Sequence, residues 1–172
     1  MITDIQLFLD MDGPIVDLDG YFFSQFGTAL HDMTKEEREL HWDEHFTVDW
    51  FLHAPPAKDA FELLEYCLTN YRYVRILTAL PHRRRDKAWQ SMEAKIQWVH
   101  QHIGYNLPIT FGPYAEDKRK HCNGMNYVLI DAMQRNIKQW LEAGGYGIFH
   151  TAAEFTIEEL KVYEKVRNKR SL

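Results

Sequence analysis

The sequence predicts an α/β domain with a mainly parallel five-stranded sheet and a small helical cap inserted after the first strand. Three observations point there. Short apolar runs alternate with helical patterns along the chain, the order that parallel α/β folds require. Runs such as VRIL and YVLI are apolar without strict alternation, which suits strands buried on both faces. The interval after the first run is too long for a single crossover and has helical character.

The elements follow in order. Strands are expected over residues 5–9, 73–77, 109–111, 127–130 and 147–149, each an apolar run closed by a polar or turn residue. A helix over residues 57–69 follows Pro55-Pro56, and a second over 85–102 carries Trp89, Met92, Ile96 and Val99 at steps of three and four. A third, over 137–143, stops at Gly144-Gly145. The last is expected to open at Thr156-Ile157-Glu158-Glu159, a capping-box pattern, and to close on Lys165, Arg167, Lys169 and Arg170, which suit a helix C-terminus. The cap takes residues 18–54 and the core residues 1–17 and 55–172. Tyr21, Phe22, Phe23, Phe26, Trp42, Phe46, Trp50 and Phe51 crowd into the cap, either as its own core or, for Phe22, Phe23, Trp42 or Trp50, as a surface that could stack a base.

Composition narrows the function classes. The 172 residues are 45% hydrophobic and 26% charged, ordinary for a folded globular chain. The formal charge of −5 gives no global attraction to nucleic acid or an anionic membrane, so no stable nucleic-acid partner and no membrane association are expected. Cys67 and Cys122 lack CxxC or zinc-type spacing, which argues against a disulfide scaffold and fits a reducing compartment. MITDIQLFLDMDG has no basic n-region and its apolar run breaks at Asp10, so it reads as no signal peptide. A cytoplasmic location is the expectation.

The chemistry gathers at strand ends. Asp10 and Asp12, two apart as the first strand closes, can face one site. Gly13 lets the backbone turn behind them. The second strand ends at Thr78 and the fourth at Asp131, on the edge where open α/β sheets bind ligands. Each residue alone is also common as a strand end or helix cap.

LFLDMDG, then ILTALP, then a lysine in AEDKRKHC, then VLIDAMQRNIKQW resembles the ordered motif set of the haloacid dehalogenase (HAD) superfamily, with its Rossmann-like three-layer core. The 5'(3')-deoxyribonucleotidases are the subgroup it is most similar to, through DMDG followed by Asp17, a T-x-x-P type second motif and the Glu142-Ala143-Gly144-Gly145 helix stop. The resemblance implies a Mg²⁺-dependent phosphomonoesterase for a small phosphorylated substrate, a nucleoside monophosphate in this subgroup. Asp10 would be the nucleophile and Asp12 the acid and base. Thr78, with Ala79 beside it, would bind the phosphoryl group, and Lys118 would neutralise charge. Mg²⁺ would be held by the Asp10 carboxylate, the Asp12 backbone carbonyl and Asp131. Asp17 could orient substrate or cap, or be a solvated turn residue. Lys118 competes with Lys120 for the lysine role.

Two positions depart from the pattern. Asp131 is followed by Ala132 where relatives commonly carry a second acid, and Pro14 replaces a small aliphatic residue. The first leaves open that Asp131 or a water fills the position, that metal binding is weakened, or that the chain is a catalytically silent nucleotide-binding homologue. Another small phosphorylated metabolite or a nucleic-acid terminal phosphate is the alternative substrate. Asn136 could contribute to the metal or simply cap its helix. Rival motifs are weaker. His41-Trp42-Asp43-Glu44-His45 matches the HxxEH zinc pattern but has no clear third ligand. DMDGPIVDLDG fails the calcium-loop pattern, with Ile15 at its sixth position and Tyr21 at its twelfth. His82-Arg83-Arg84-Arg85 reads equally as an attraction for an anionic substrate and as an exposed helix start. An oligomer is possible.

Overall fold

β1 (Thr3–Leu9) lies at the centre of a five-stranded sheet in the computed structural model, which describes residues 3–29 and 32–170, without side-chain detail for Thr3 and residues 168–170. With β2 (Tyr71–Thr78), β3 (Ile109–Phe111), β4 (Tyr127–Asp131) and β5 (Tyr146–Phe149), the order is β3-β2-β1-β4-β5. Every neighbouring pair is parallel. The chain steps outward from β1 to β3, then crosses back to β4 on the other side of β1. This reversal makes the carboxyl edge between β1 and β4 a topological switch point, where such sheets open a crevice.

The apolar runs are continuous because the sheet is covered twice. Ile5, Leu7 and Leu9 of β1 join Ile76, Val128 and Ile130 on one face. Helices α4 (Ala60–Asn70), α5 (Ala88–His102) and α7 (Ala153–Arg170) supply Leu63, Trp98 and Leu160 to the same core. Phe8, Leu77 and Leu129, each one residue out of step, pack on the opposite face against Ile137 and Trp140 of α6 (Gln134–Glu142). The expectation of an α/β, mainly parallel, three-layer fold holds, and the sheet is parallel throughout. No helix among the described residues is long and apolar enough to cross a membrane.

Four helices differ in their bounds from those read in the sequence. Helix α4 begins at Ala60 rather than at residue 57. The segment before α5 is a 3-10 turn over Arg85–Lys87, and α5 buries Ser91, Ala94, Lys95, Trp98 and Val99 rather than a face led by Trp89, which is 65% exposed. Helix α6 begins at Gln134, ahead of the apolar residues that mark it, and Gly144 with φ +88 still follows its end. Helix α7 begins at Ala153, not at the Thr156 pattern. Its first amide donates to Asp59 Oδ2 at 2.5 Å, so a carboxylate from the start of α4 provides the cap. Thr156 is buried in the first turn, its hydroxyl 2.9 Å from His150 Nδ1. The side chains of Lys169 and Arg170 lie outside the described residues.

Between β1 and α4 the chain forms α1 (Leu18–Phe26), α2 (Lys35–His45) and α3 (Asp49–His53). Thr34 and Glu37 close a capping box on α2, and Gly27, with φ +72, ends α1. Phe22, Phe46, Trp50 and Phe51 pack together with Ala94 of α5. The aromatics thus build the interior of this helical unit, and that interior continues onto α5.

Candidate active site

β1, β2 and β4 end side by side, and their last residues converge. Asp10, Thr78 and Asp131 are all buried. Lys118, from a 3-10 segment over Ala115–His121, reaches between two of them: its Nζ lies 2.7 Å from Asp10 Oδ1 and 2.7 Å from Asp131 Oδ2. Lys120 is exposed and pairs with Asp117 at 2.6 Å. Of the two lysines, Lys118 is the one brought to the strand ends.

The carboxylates are held rather than loose. Asp10 Oδ1 accepts from the Met11 amide at 2.8 Å. Asp131 Oδ1 accepts from the Met133 amide at 2.8 Å, and Oδ2 from Asn136 Nδ2 at 2.9 Å. Asn136 therefore neither caps α6 nor stands free as a ligand; it orients Asp131. Burial pushes the Asp10 carboxyl up, the Asp131 charge adds to this, Lys118 pulls the other way and Asp12 adds a smaller push, leaving it at about 7. Burial pulls Lys118 down, but Asp10 and Asp131 outweigh it and hold the ammonium above its ordinary range.

Asp12 lies beyond the strand end, on a loop closed by Gly13 N–H to Val16 C=O at 2.9 Å and Val16 N–H to Met11 C=O at 2.8 Å. Gly13 has φ +107, and a Cβ there would come within 2.7 Å of the Ala132 Cβ. Only glycine fits, because the loops after β1 and β4 cross at that point. Gly13→Ala is expected to lose roughly 1–3 kcal/mol of stability and to displace Asp12. Thermal melts check this; an unchanged Tm would contradict the crossing.

The Asp12 carboxylate is engaged by a residue absent from the sequence reading. Lys95 Nζ lies 2.6 Å from Asp12 Oδ2 and 2.8 Å from Thr78 Oγ1, with the side chain fully buried. A lysine inside the stripe Ser91, Ala94, Lys95, Trp98, Val99 was the available signal, since those steps mark a buried helix face.

Three carboxylates, Asp10, Asp12 and Asp131, face two ammonium groups, Lys95 and Lys118. The residual negative charge and the raised Asp10 are what a hard cation would relieve. Among the described residues no group of three or more His, Cys, Asp or Glu side chains is arranged to hold a metal. Asp10 and Asp131 are the oxygen donors at hand for a hard ion, one or two carboxylates being what Mg²⁺ takes alongside several waters, and Lys118 lies between them.

Above the strand ends a cleft of about 430 Å³ runs between α2, α3 and the loops after β2 and β3, lined by Asp12, Trp42, Phe51, Ala79 and His82 among others. That volume suits a small molecule. Of the four aromatics considered for stacking, Trp42 lines the cleft. Phe22 and Trp50 are buried among their neighbours, and Phe23 is exposed. Asp17 is exposed, is not among the residues lining this cleft, and accepts from the Gly20 amide at 2.8 Å as the cap of α1. Within the arginine cluster His82 and Arg83 line the cleft. Arg83 bonds Asp43 and, at 3.2 Å, Glu39 on α2, while Arg84 pairs with Asp86 at 3.2 Å. His41 meets the Phe26 ring edge-on and His45 lies tilted against it, with ring centroids 5.6 and 5.2 Å away.

No protein-family model matches the chain. No curated protein matches it in sequence. Its fold is similar to that of the crystal structure of a hydrolase from Streptococcus pneumoniae TIGR4, with a TM-score of 0.50 and 12% identity over 92% of this chain and 100% of that one, a likeness of fold alone.

Proposed function

We propose that the chain is a Mg²⁺-dependent phosphomonoesterase of the HAD type, a hydrolase whose preferred substrates are deoxyribonucleoside monophosphates. The observation that carries this reading is the buried Asp10–Lys118–Asp131 bridge at the strand ends, two residues along the chain from Asp12, which lines the cleft. A phosphomonoester resists attack because its oxygens are anionic, so catalysis is mostly positioning and charge neutralisation. Asp10 attacks phosphorus in line and forms an aspartyl-phosphate. Asp12 protonates the leaving oxygen and then takes the proton of the hydrolytic water. Thr78 and the Ala79 backbone bind the phosphoryl oxygens, and Lys118 offsets their charge. Asp10, Asp131 and the Asp12 backbone carbonyl would hold Mg²⁺, which when bound supplies the positive charge that lets a carboxylate approach a phosphate. The fold likeness to a hydrolase supports the broader reading. The nucleotide rests on the subgroup resemblance and on Trp42 and Phe51 in the cleft wall.

Purified protein with Mg²⁺ is expected to release phosphate from dTMP or dUMP faster than from sugar phosphates. The opposite ranking removes the nucleotidase assignment. Absence of turnover with any phosphoester, together with a nucleotide-dependent rise in Tm, replaces the enzyme by a silent binding homologue. That outcome is motivated by Ala132 and by the donors already on both oxygens of Asp131.

A further inference from the structure

Lys95 has no role in the chemistry above, yet it is 0% exposed and sits against two residues of the site. An ammonium has three donors and no acceptor. In its 2.8 Å contact with Thr78 the hydroxyl must therefore accept, which leaves the hydroxyl proton to be donated elsewhere. In its 2.6 Å contact with Asp12 it holds Oδ2. Asp12 Oδ1 is buried and has no hydrogen-bond partner among the described residues. A buried carboxylate oxygen without a partner is costly and calls for an explanation. The third neighbour is the Phe51 ring of α3, whose centroid is 4.4 Å from Nζ.

Resting on the phosphomonoesterase reading, we infer that Lys95 is a positioning residue that sorts the two oxygens of Asp12 and the two roles of the Thr78 hydroxyl. It fixes Oδ2, so that Oδ1 carries the transferred proton, and it turns the Thr78 O–H toward a phosphoryl oxygen. The steps balance as follows. A bond forms from an Asp10 carboxylate oxygen to phosphorus while the bond from phosphorus to the leaving oxygen breaks. The electron pair departs with that oxygen, which takes the proton from Asp12 Oδ1. Water then gives a proton back to Oδ1 as its oxygen bonds to phosphorus and the bond to Asp10 breaks. The α5 stripe ties this arrangement to the cap, because Ala94 packs into the aromatic cluster of which Phe51 is part.

The competing role is a structural plug between cap and core, and the leaving group separates the two. p-Nitrophenyl phosphate expels a stable anion and needs little protonation, whereas a deoxynucleoside 5'-monophosphate expels an alkoxide and depends on Asp12. For Lys95→Met the loss in kcat/KM is expected to be at least about tenfold larger on the nucleotide than on the aryl ester. In an Asp12→Asn background the substitution should add no further discrimination. Equal losses on both esters, or discrimination that persists without the Asp12 carboxyl, would overturn the inference while leaving the phosphomonoesterase intact. A wild-type protein that hydrolyses neither ester removes that reading and the inference with it. If Lys95→Met does not fold, Lys95→Gln, which retains a hydrogen-bond donor of shorter reach, is expected to show the same bias in smaller measure, and its absence has the same force.

Discussion

Asp10→Asn is expected to abolish phosphoester turnover, by roughly 10⁴-fold or more, while the fold persists and the metal-free protein becomes less sensitive to alkali. On the proposed reading, the loss of activity follows from removing the attacking oxygen. The stability effect follows from the raised carboxyl. In the folded chain Asp10 keeps its proton up to about 7, against 3.8 for an unperturbed group. Between those values the folded state binds more protons than the unfolded state, so stability falls as pH rises through the window and levels off above it. The ceiling on this loss is roughly 4 kcal/mol. Asparagine does not titrate, so the Tm of the variant should gain on the wild type between pH 5 and pH 8 in EDTA. Mg²⁺ should shrink the difference, since a cation between Asp10 and Asp131 favours their charged forms. A Tm difference that is flat with pH contradicts the buried-carboxylate account, and persistent turnover refutes the nucleophile.

Lys118→Met should be the most damaging single change to stability at the site. It leaves Asp10 and Asp131 facing each other, buried, without the ammonium that lies 2.7 Å from each. Breaking a buried pair by removing one partner costs about 3–5 kcal/mol, a fall in Tm of roughly 10 °C for a chain of this size. Mg²⁺ should restore part of that loss by replacing the missing charge, though not the activity. Lys120→Met serves as the control: its pair with Asp117 is on the surface and should matter by less than about 1 kcal/mol. Melts of both variants with and without Mg²⁺ decide the point, and equal shifts would remove Lys118 from the centre of the site.

Much of the site was legible because its signals are local. An apolar run that closes on Asp10, Thr78 or Asp131 shows in sequence both the strand and the polar group at its end, and parallel strands put such ends on one edge. Glycine at position 13 was legible as a turn, but its collision partner Ala132 is 119 positions away in sequence. Lys118 and Lys120 looked alike within EDKRKH, since nothing in a charge run tells which residue will be enclosed. Asp17 looked like a member of the acidic cluster, yet its carboxylate accepts from the Gly20 amide at the opening of α1.

What the sequence determined by itself is the order of strands and helices, the two-faced burial of the sheet, and the set of polar groups at its carboxyl edge, because each depends on neighbours a few residues apart. Only the tertiary structure decided which face of α5 turns inward, with Lys95 rather than Trp89; that α7 starts three residues early under the carboxylate of Asp59; and that Arg83, in the cleft wall, pairs with Asp43 and Glu39 of α2. Each of these rests on a charge or an orphan backbone group being satisfied by a residue far along the chain, and a buried charge takes whichever partner the packing brings within hydrogen-bonding reach.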